Sequence, residues 1–428
     1  MWTIFVILAL VLFLAIFLVK PLIGLYLMAF LLPVSGWSFD IYGFLLPLID
    51  LLALLVLTAF ILRTVFFFFF NFSSKQPIVW PLFFPFAVFL FFNILSAIFS
   101  SQPFSSLYYI ARWPVFLYFA YIFLPYNLII DGRILKRTIT ALLAGASVVL
   151  ICGYLSLYGQ DWHNNLYQLN TIGWWGIYPF GQNHNLIAEF LNIGIFLILV
   201  LKALIKHRGF KRLLNIVFIL TAFAIILTFS RAAWITLLLQ ILIYVWYYLR
   251  IKNYQSKNII ITTIILLLIL SPLGWKMDQF QQDNAGSTAS RRLLTEISWQ
   301  AFLAKPYLGQ GSGQYVSLIS HNIRFIAKFG SPIDSHGFLQ KILVENGIFG
   351  LAAWLFIMIY LIKISYESVK KYQTGNPWLL PLFLAGAGGL FFQFFNTSYY
   401  QGKIWLPITL ALVAVRLLEK KYEPKPSK

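Results

Sequence analysis

Few side chains in this sequence are equipped for chemistry, and they fall in a small number of segments. His336 stands in Asp334-Ser335-His336-Gly337-Phe338, just ahead of an apolar run, with Glu345 about two and a half helical turns further along. An imidazole changes charge near neutrality and can take a proton from an attacking hydroxyl; the alternative is a structural or merely exposed ring. Arg231 sits in Phe229-Ser230-Arg231-Ala232-Ala233-Trp234, between two apolar runs. A guanidinium there either snorkels to mark a helix end or binds an anion. Arg112, in Ala111-Arg112-Trp113-Pro114, poses the same choice, with the Trp113 ring or lipid headgroups as its simpler partners. Ser290-Arg291-Arg292 opens a segment in which Leu294, Ile297 and Ala301 recur at helical spacing, which predicts an amphipathic helix over 291–304. Pro306, Gly309, Gly311 and Gly313 end it. Alternate glycines can turn backbone N–H groups toward an anion, or simply form a flexible loop. No His-Glu-x-x-His occurs and Cys152 has no second cysteine to join it, so neither bound zinc nor any cofactor is expected.

The elements that must hold these residues are apolar. Of 428 residues 60% are hydrophobic and 11% charged, at a mean hydropathy of +0.81, which excludes an ordinary cytosolic enzyme, a disordered chain and a disulfide scaffold. Apolar runs fall near 2–19, 22–32, 44–62, 80–99, 107–123, 138–157, 186–204, 213–228, 232–248, 259–273, 342–362, 378–395 and 404–417. Most approach the length of about 20 residues that crosses a bilayer, where only a helix or a closed barrel satisfies its own backbone. Lys20-Pro21 either separates two short helices or kinks one broken element, so the sequence predicts an all-α polytopic membrane protein with about 12–13 spans. The first run has no basic segment ahead of it and no small-residue cleavage site, so it reads as a retained span.

Cations set the orientation. The formal charge of +19 would suit a nucleic-acid binder, yet Lys202, Lys206, Arg208, Lys211 and Arg212 fill one loop, and Arg133, Lys136 and Arg137 another. Alternating the spans puts these and the later basic loops on one side, taken as cytoplasmic, so no nucleic-acid partner is expected. The opposite side then receives 156–183, 271–341 and 396–403, of which 271–341 is by far the largest. The expected division is a transmembrane bundle over 1–270, an extracytoplasmic and partly helical loop over 271–341, C-terminal transmembrane helices over 342–417, and a cytoplasmic tail over 418–428. On that layout Arg231 lies at the outer rim, against the positive-inside trend, which favours anion binding over snorkelling. Trp174, Trp175, Tyr399 and Tyr400 also face outward, where they form an interfacial aromatic belt or stack on sugars, the belt being the simpler reading.

Taken in order, these segments resemble a known family. A Ser230-Arg231 rim, a large outer loop with Arg291, the run Lys305-Pro306-Tyr307-Leu308-Gly309-Gln310-Gly311, then His336 and Glu345-Asn346-Gly347-Ile348-Phe349-Gly350 are similar to the O-antigen ligase and O-antigen polymerase superfamily, which includes protein O-oligosaccharyltransferases. Gly181-Gln182-Asn183-His184-Asn185 also looks like a family pattern, which makes Asn185 a possible substrate-binding residue with Gly309, Gly311 and Glu345. The resemblance implies a glycosyltransferase-C-like membrane domain of the inner (cytoplasmic) membrane, its site facing the periplasm or exterior. It implies a metal-independent, inverting transfer of a glycan from a polyprenyl diphosphate carrier, such as undecaprenyl diphosphate, to a hydroxyl of a lipid-linked, glycan or protein acceptor, as in lipopolysaccharide assembly. Carried over residue by residue, Arg231 and Arg291 bind diphosphate with Arg292 and Arg112 as further candidates, and His336 is the base. The family commonly has Asn directly after the His, where this chain has Gly337. The ligase is the reading chosen, with an O-antigen or exopolysaccharide polymerase as its alternative. A multispan transporter of an anionic solute is the alternative of another class, and it should keep its charges near the midplane rather than at a rim.

Overall fold

The computed structural model describes residues 2–41, 44–69, 77–158, 168–251 and 285–422. It is an all-α membrane protein: the strands among the described residues are one antiparallel hairpin of Ser38–Ile41 with Phe44–Pro47. Residues 44–47, expected to open a span, are therefore strand, and the helix starts only at Leu48.

Helices begin where the sequence supplies a cap. The Asp131 carboxylate accepts from the N–H groups of Arg133 and Ile134 at 2.7 and 2.8 Å and starts Gly132–Leu155. The Asn183 side chain accepts from the Asn185 N–H at 2.9 Å and starts His184–Leu204. By length and hydropathy seven described helices can cross a membrane, or eight if Leu8–Val19 and Pro21–Leu31, bent by 118°, form one broken span. This is fewer than the apolar runs suggest. Lys20-Pro21 breaks the first pair, Phe83–Ile98 and Leu379–Phe392 are short, and the run 259–273 lies outside the described residues.

His184–Leu204 is the most enclosed helix and packs on Leu379–Phe392 and Gly132–Leu155. Leu379–Phe392 permits close approach because it is rich in glycine: a Cβ on Gly388 would sit 2.2 Å from the Gln240 amide, which instead donates to the Leu384 carbonyl at 2.8 Å. At the end of this core Lys403 Nζ meets Glu189 Oε2 at 2.6 Å, and the Gln393 amide donates to Glu189 Oε1 at 2.7 Å. Both charged side chains are buried, so removing one leaves the other unpaired in a low dielectric. Lys403→Met should therefore lower stability by about 3 kcal/mol. In detergent thermal unfolding, the double variant with Glu189→Gln should recover much of that loss; equal loss in both would show that the pair is not the cause.

The helix Phe338–Tyr372 is broken at Gly347, where φ is 63° and ψ −164°. A break in an α-helix orphans carbonyls before it and N–H groups after it. Here the loop 305–311 satisfies both sets. Gln310 and Gly311 donate their N–H groups to the Val344 and Glu345 carbonyls at 2.8 and 3.0 Å, while Ile348 and Phe349 donate to the Pro306 and Tyr307 carbonyls at 2.9 and 3.4 Å. Helix Ala285–Ala304 leads into that loop and covers the expected 291–304, with Leu294, Ile297 and Ala301 buried against Tyr315, Ile319, Phe325 and Val344.

Candidate active site

Arg231 is the first residue of the helix Arg231–Ile251. The turn ahead of it is tightly held: Phe229 has φ 52°, the Ser230 hydroxyl accepts from the Ala233 N–H at 3.3 Å, and it donates to Asn185 Oδ1 at 2.6 Å. Ser230 thus caps the helix and Asn185 anchors the cap. Asn185, a possible substrate ligand on the resemblance, spends its side-chain carbonyl on positioning Ser230. A cation at a helix N-terminus opposes the helix dipole, so the Arg231 charge and the positive end of the dipole add into one field suited to an anion.

Two further groups converge on Arg231. Burial lowers the pKa of Arg291, and the charge of Arg231 lowers it further, yet a guanidinium remains a cation. Burial also lowers the pKa of His336 below its ordinary 6.5, and Arg291 adds to that shift while Asp334 opposes it. Arg291 is therefore within electrostatic reach of both Arg231 and His336, although the three come from separated segments. Like charges gathered at a rim with a neutral imidazole are arranged for an anion and a proton acceptor. Arg291 and Arg292 both keep exposed surface on this helix; Arg291 is the one whose charge acts on His336.

His336 sits on a pinned loop. Ser335 Oγ donates to the Gly337 carbonyl at 2.9 Å, Thr397 Oγ1 donates to the Ser335 carbonyl at 3.2 Å, and Phe338 N–H donates to the Gln393 carbonyl at 3.0 Å. Gly337 now has a physical reason: a Cβ there would lie 2.8 Å from the Phe394 carbonyl oxygen. Asp334 is held by Lys341 at 2.7 Å, and Lys341 also faces the rings of Tyr400 at 5.2 Å and Tyr109 at 5.9 Å. Neither Asp334 nor Lys341 stands out in the sequence as functional. The signal that was there is a lysine inside an apolar run with an acid at i+4, a pairing that membrane burial demands.

Arg112 occupies a π-helical turn, Ala111–Val115, with its guanidinium 4.6 Å from the centre of the Trp113 ring. Trp113 in turn packs on Tyr400 at 4.6 Å, and burial raises the pKa of Tyr400 while Lys341 and Arg112 pull it back. Arg112 therefore borders the Lys341–Asp334 pair rather than the Arg231–Arg291 set.

Three expectations are corrected. Gly309 and Gly311 do not offer their N–H groups to an anion, because these donate to the Lys305 and Glu345 carbonyls at 3.0 Å each. Glu345, a possible substrate ligand on the resemblance, is instead 1% exposed, and its carboxylate accepts from the Tyr315 N–H at 3.2 Å. Tyr399 and Tyr400 are not surface platforms, since Tyr399 packs on Trp354 at 5.0 Å and on Tyr400 at 5.2 Å, whereas Trp175 is fully exposed. Among the other histidines, His321 Nδ1 pairs with the Ser317 carbonyl at 2.7 Å, and His163 lies outside the described residues.

Comparison with known proteins agrees with this location. Residues 216–355 match the O-antigen ligase family, a stretch that includes Arg231, Arg291, His336 and the Gly347 break but not Arg112 or Asn185. Over 198 residues the chain is 27% identical to the ComP-specific O-oligosaccharyltransferase of Acinetobacter baylyi, a match covering 44% of this chain and 35% of that relative. The match thus spans about a third of that relative's length. Over the segment that carries these arginines and the histidine, the chain is thus similar to the O-antigen ligase family.

Proposed function

We propose that this protein is an O-antigen ligase-like membrane glycosyltransferase that moves a glycan from a polyprenyl diphosphate carrier to an acceptor hydroxyl. The observation that carries this reading is that Arg231 opens one candidate membrane span, His336 stands two residues ahead of another, and the charge of Arg291 reaches both. The acceptor oxygen attacks the anomeric carbon as the bond from that carbon to the phosphate oxygen breaks, and the carrier diphosphate leaves with the electron pair. Negative charge grows on the leaving group, where two fixed guanidiniums stabilise it. His336 takes the hydroxyl proton. A single displacement inverts the anomeric centre. In this reading the described helices up to Ile251 and from Phe338 onward supply the scaffold, and the described part of the loop, 285–337, covers the site from the periplasmic side.

Reconstitution with a polyprenyl diphosphate-linked glycan and a panel of acceptors, read by product mass, tests the proposal. Because the matched relative is named for an O-oligosaccharyltransferase, the panel includes a protein beside lipid and glycan acceptors. Elongation on the carrier would identify a polymerase instead, and no transfer to any acceptor would sink the enzyme reading. Arg231→Ala and Arg291→Ala should each lower transfer by about 10²–10³-fold, with Arg291→Lys intermediate because a lysine keeps the charge but loses the planar fork. Unaltered turnover in either alanine variant would remove that arginine from the site.

A further inference from the structure

A cavity of about 430 Å³ opens at the end of the bundle away from His336. Its wall includes Glu367 and Tyr372, at the far end of the helix that begins at Phe338, about 30 Å along the axis beyond the Gly347 break at 1.5 Å per helical residue. It cannot belong to the Arg231–His336 site. The remaining wall comes from three other elements, with Trp80 and Tyr126 on one side and Arg416 and Glu419 on the other.

Arg416 is built into this wall. Its guanidinium lies 4.3 Å over the Tyr126 ring and donates from Nη2 to the Ile129 carbonyl, while its buried Nε has no hydrogen-bond partner. As a wall residue Arg416 offers the cavity a fixed guanidinium, a charge-assisted partner suited to a phosphate oxygen. Lys371 adds a second cation to the lining, yet Glu367 and Glu419 add two carboxylates, so the wall is balanced rather than basic. A purely anionic ligand would meet both carboxylates. A ligand with a phosphate and an ammonium a few atoms apart would pair with both signs, the ammonium gaining the aromatic faces as well. Trp80 and Tyr360 are 49% and 39% exposed at the cavity edge, which is where aromatic side chains meet the lipid headgroup layer.

We propose that this cavity holds the headgroup of a phospholipid that carries a primary ammonium beside its phosphate, taken from the leaflet opposite the His336 rim. Arg416 and Lys371 take the phosphate, and Glu367 and Glu419 take the ammonium. The lipid acts as a wedge between the end of the Phe338–Tyr372 helix and that of Gly402–Tyr422.

The test uses the full chain in detergent and native mass spectrometry, with phosphatidylethanolamine, phosphatidylglycerol and inorganic phosphate as probes. Phosphatidylethanolamine should be retained as one copy per chain at about tenfold lower concentration than phosphatidylglycerol, and Arg416→Gln should weaken its retention about tenfold. Glu367 and Glu419 are exposed, so the double variant E367Q and E419Q should fold normally and turn the preference toward phosphatidylglycerol. If Arg416→Gln fails to give a single species on gel filtration, the glutamate variant decides alone. Equal or stronger retention of phosphatidylglycerol by the parent chain overturns the proposal. So does a lipid preference that the glutamate substitutions leave unchanged, or displacement of the lipid by an equal concentration of inorganic phosphate.

Discussion

His336→Ala should lower glycan transfer by about two to four orders of magnitude while the chain still inserts and folds. The expectation rests on the proposed role of the imidazole as proton acceptor. A sugar or lipid hydroxyl is a poor nucleophile at neutral pH, and positioned base catalysis contributes about that much. Its surroundings tune it in the useful direction. Burial and then Arg291 lower the His336 pKa from 6.5, so the neutral form that can accept a proton persists into more acidic solution. Activity should therefore rise as pH climbs through a value below 6.5 and be flat above it. Asp334 acts in the opposite sense, so Asp334→Asn should move that acid limb further down. A pH profile of transfer in proteoliposomes checks both statements. A limb above the ordinary imidazole range, or one that stays in place in the His336→Gln variant, would count against the assignment.

Gly347→Ala should be nearly as damaging, through the fold rather than the chemistry. The backbone at 347 has φ 63° and ψ −164°, a combination that only glycine adopts readily, and an added Cβ would stand 2.3 Å from the Tyr307 carbonyl oxygen. The backbone penalty and the crowding are each of order 1–3 kcal/mol, giving roughly 2–6 kcal/mol in all. The obstacle is main chain, which cannot rotate away. Relief requires the loop 305–311 to withdraw from the break, and with it go the four backbone hydrogen bonds that close the joint. Gly309→Ala should act likewise from the other side, because its Cβ would meet the Glu345 carbonyl at 2.5 Å with φ already at 74°. Thermal unfolding in detergent, with yield of monodisperse protein as a second readout, measures the loss. A Gly347→Ala chain as stable as the parent would show that the joint is not a determinant of stability.

Some of this was legible residue by residue. The helix over 291–304 follows from Leu294, Ile297 and Ala301, since a 3.6-residue period is a local property of the chain. Arg231 and His336 are candidates from the sequence because each stands beside an apolar run, where a polar group has to be accounted for, and Arg291 because it opens the amphipathic segment. Lys341 and Asp334 escaped notice because their meaning is a pairing over seven residues and a contact with Tyr400, which no local pattern encodes. Gly309 and Glu345 were visible but misread. Both looked like ligand-facing residues, whereas the space each occupies is filled by the other's segment.

From its residues alone this protein is a helical membrane protein with a few costly polar groups at one rim, because hydropathy and helical period are set by neighbours in sequence. Tertiary structure decided the rest. It joined the Lys305-to-Gly311 and Glu345-to-Gly350 motifs into one joint, gave Asn185 to the Ser230 cap, and brought Arg291 to Arg231 and His336 from a separate segment. The physical reason is the same in each case. In a nonpolar surrounding every backbone and charged group needs a partner, and which partner it finds depends on packing between segments far apart in the chain.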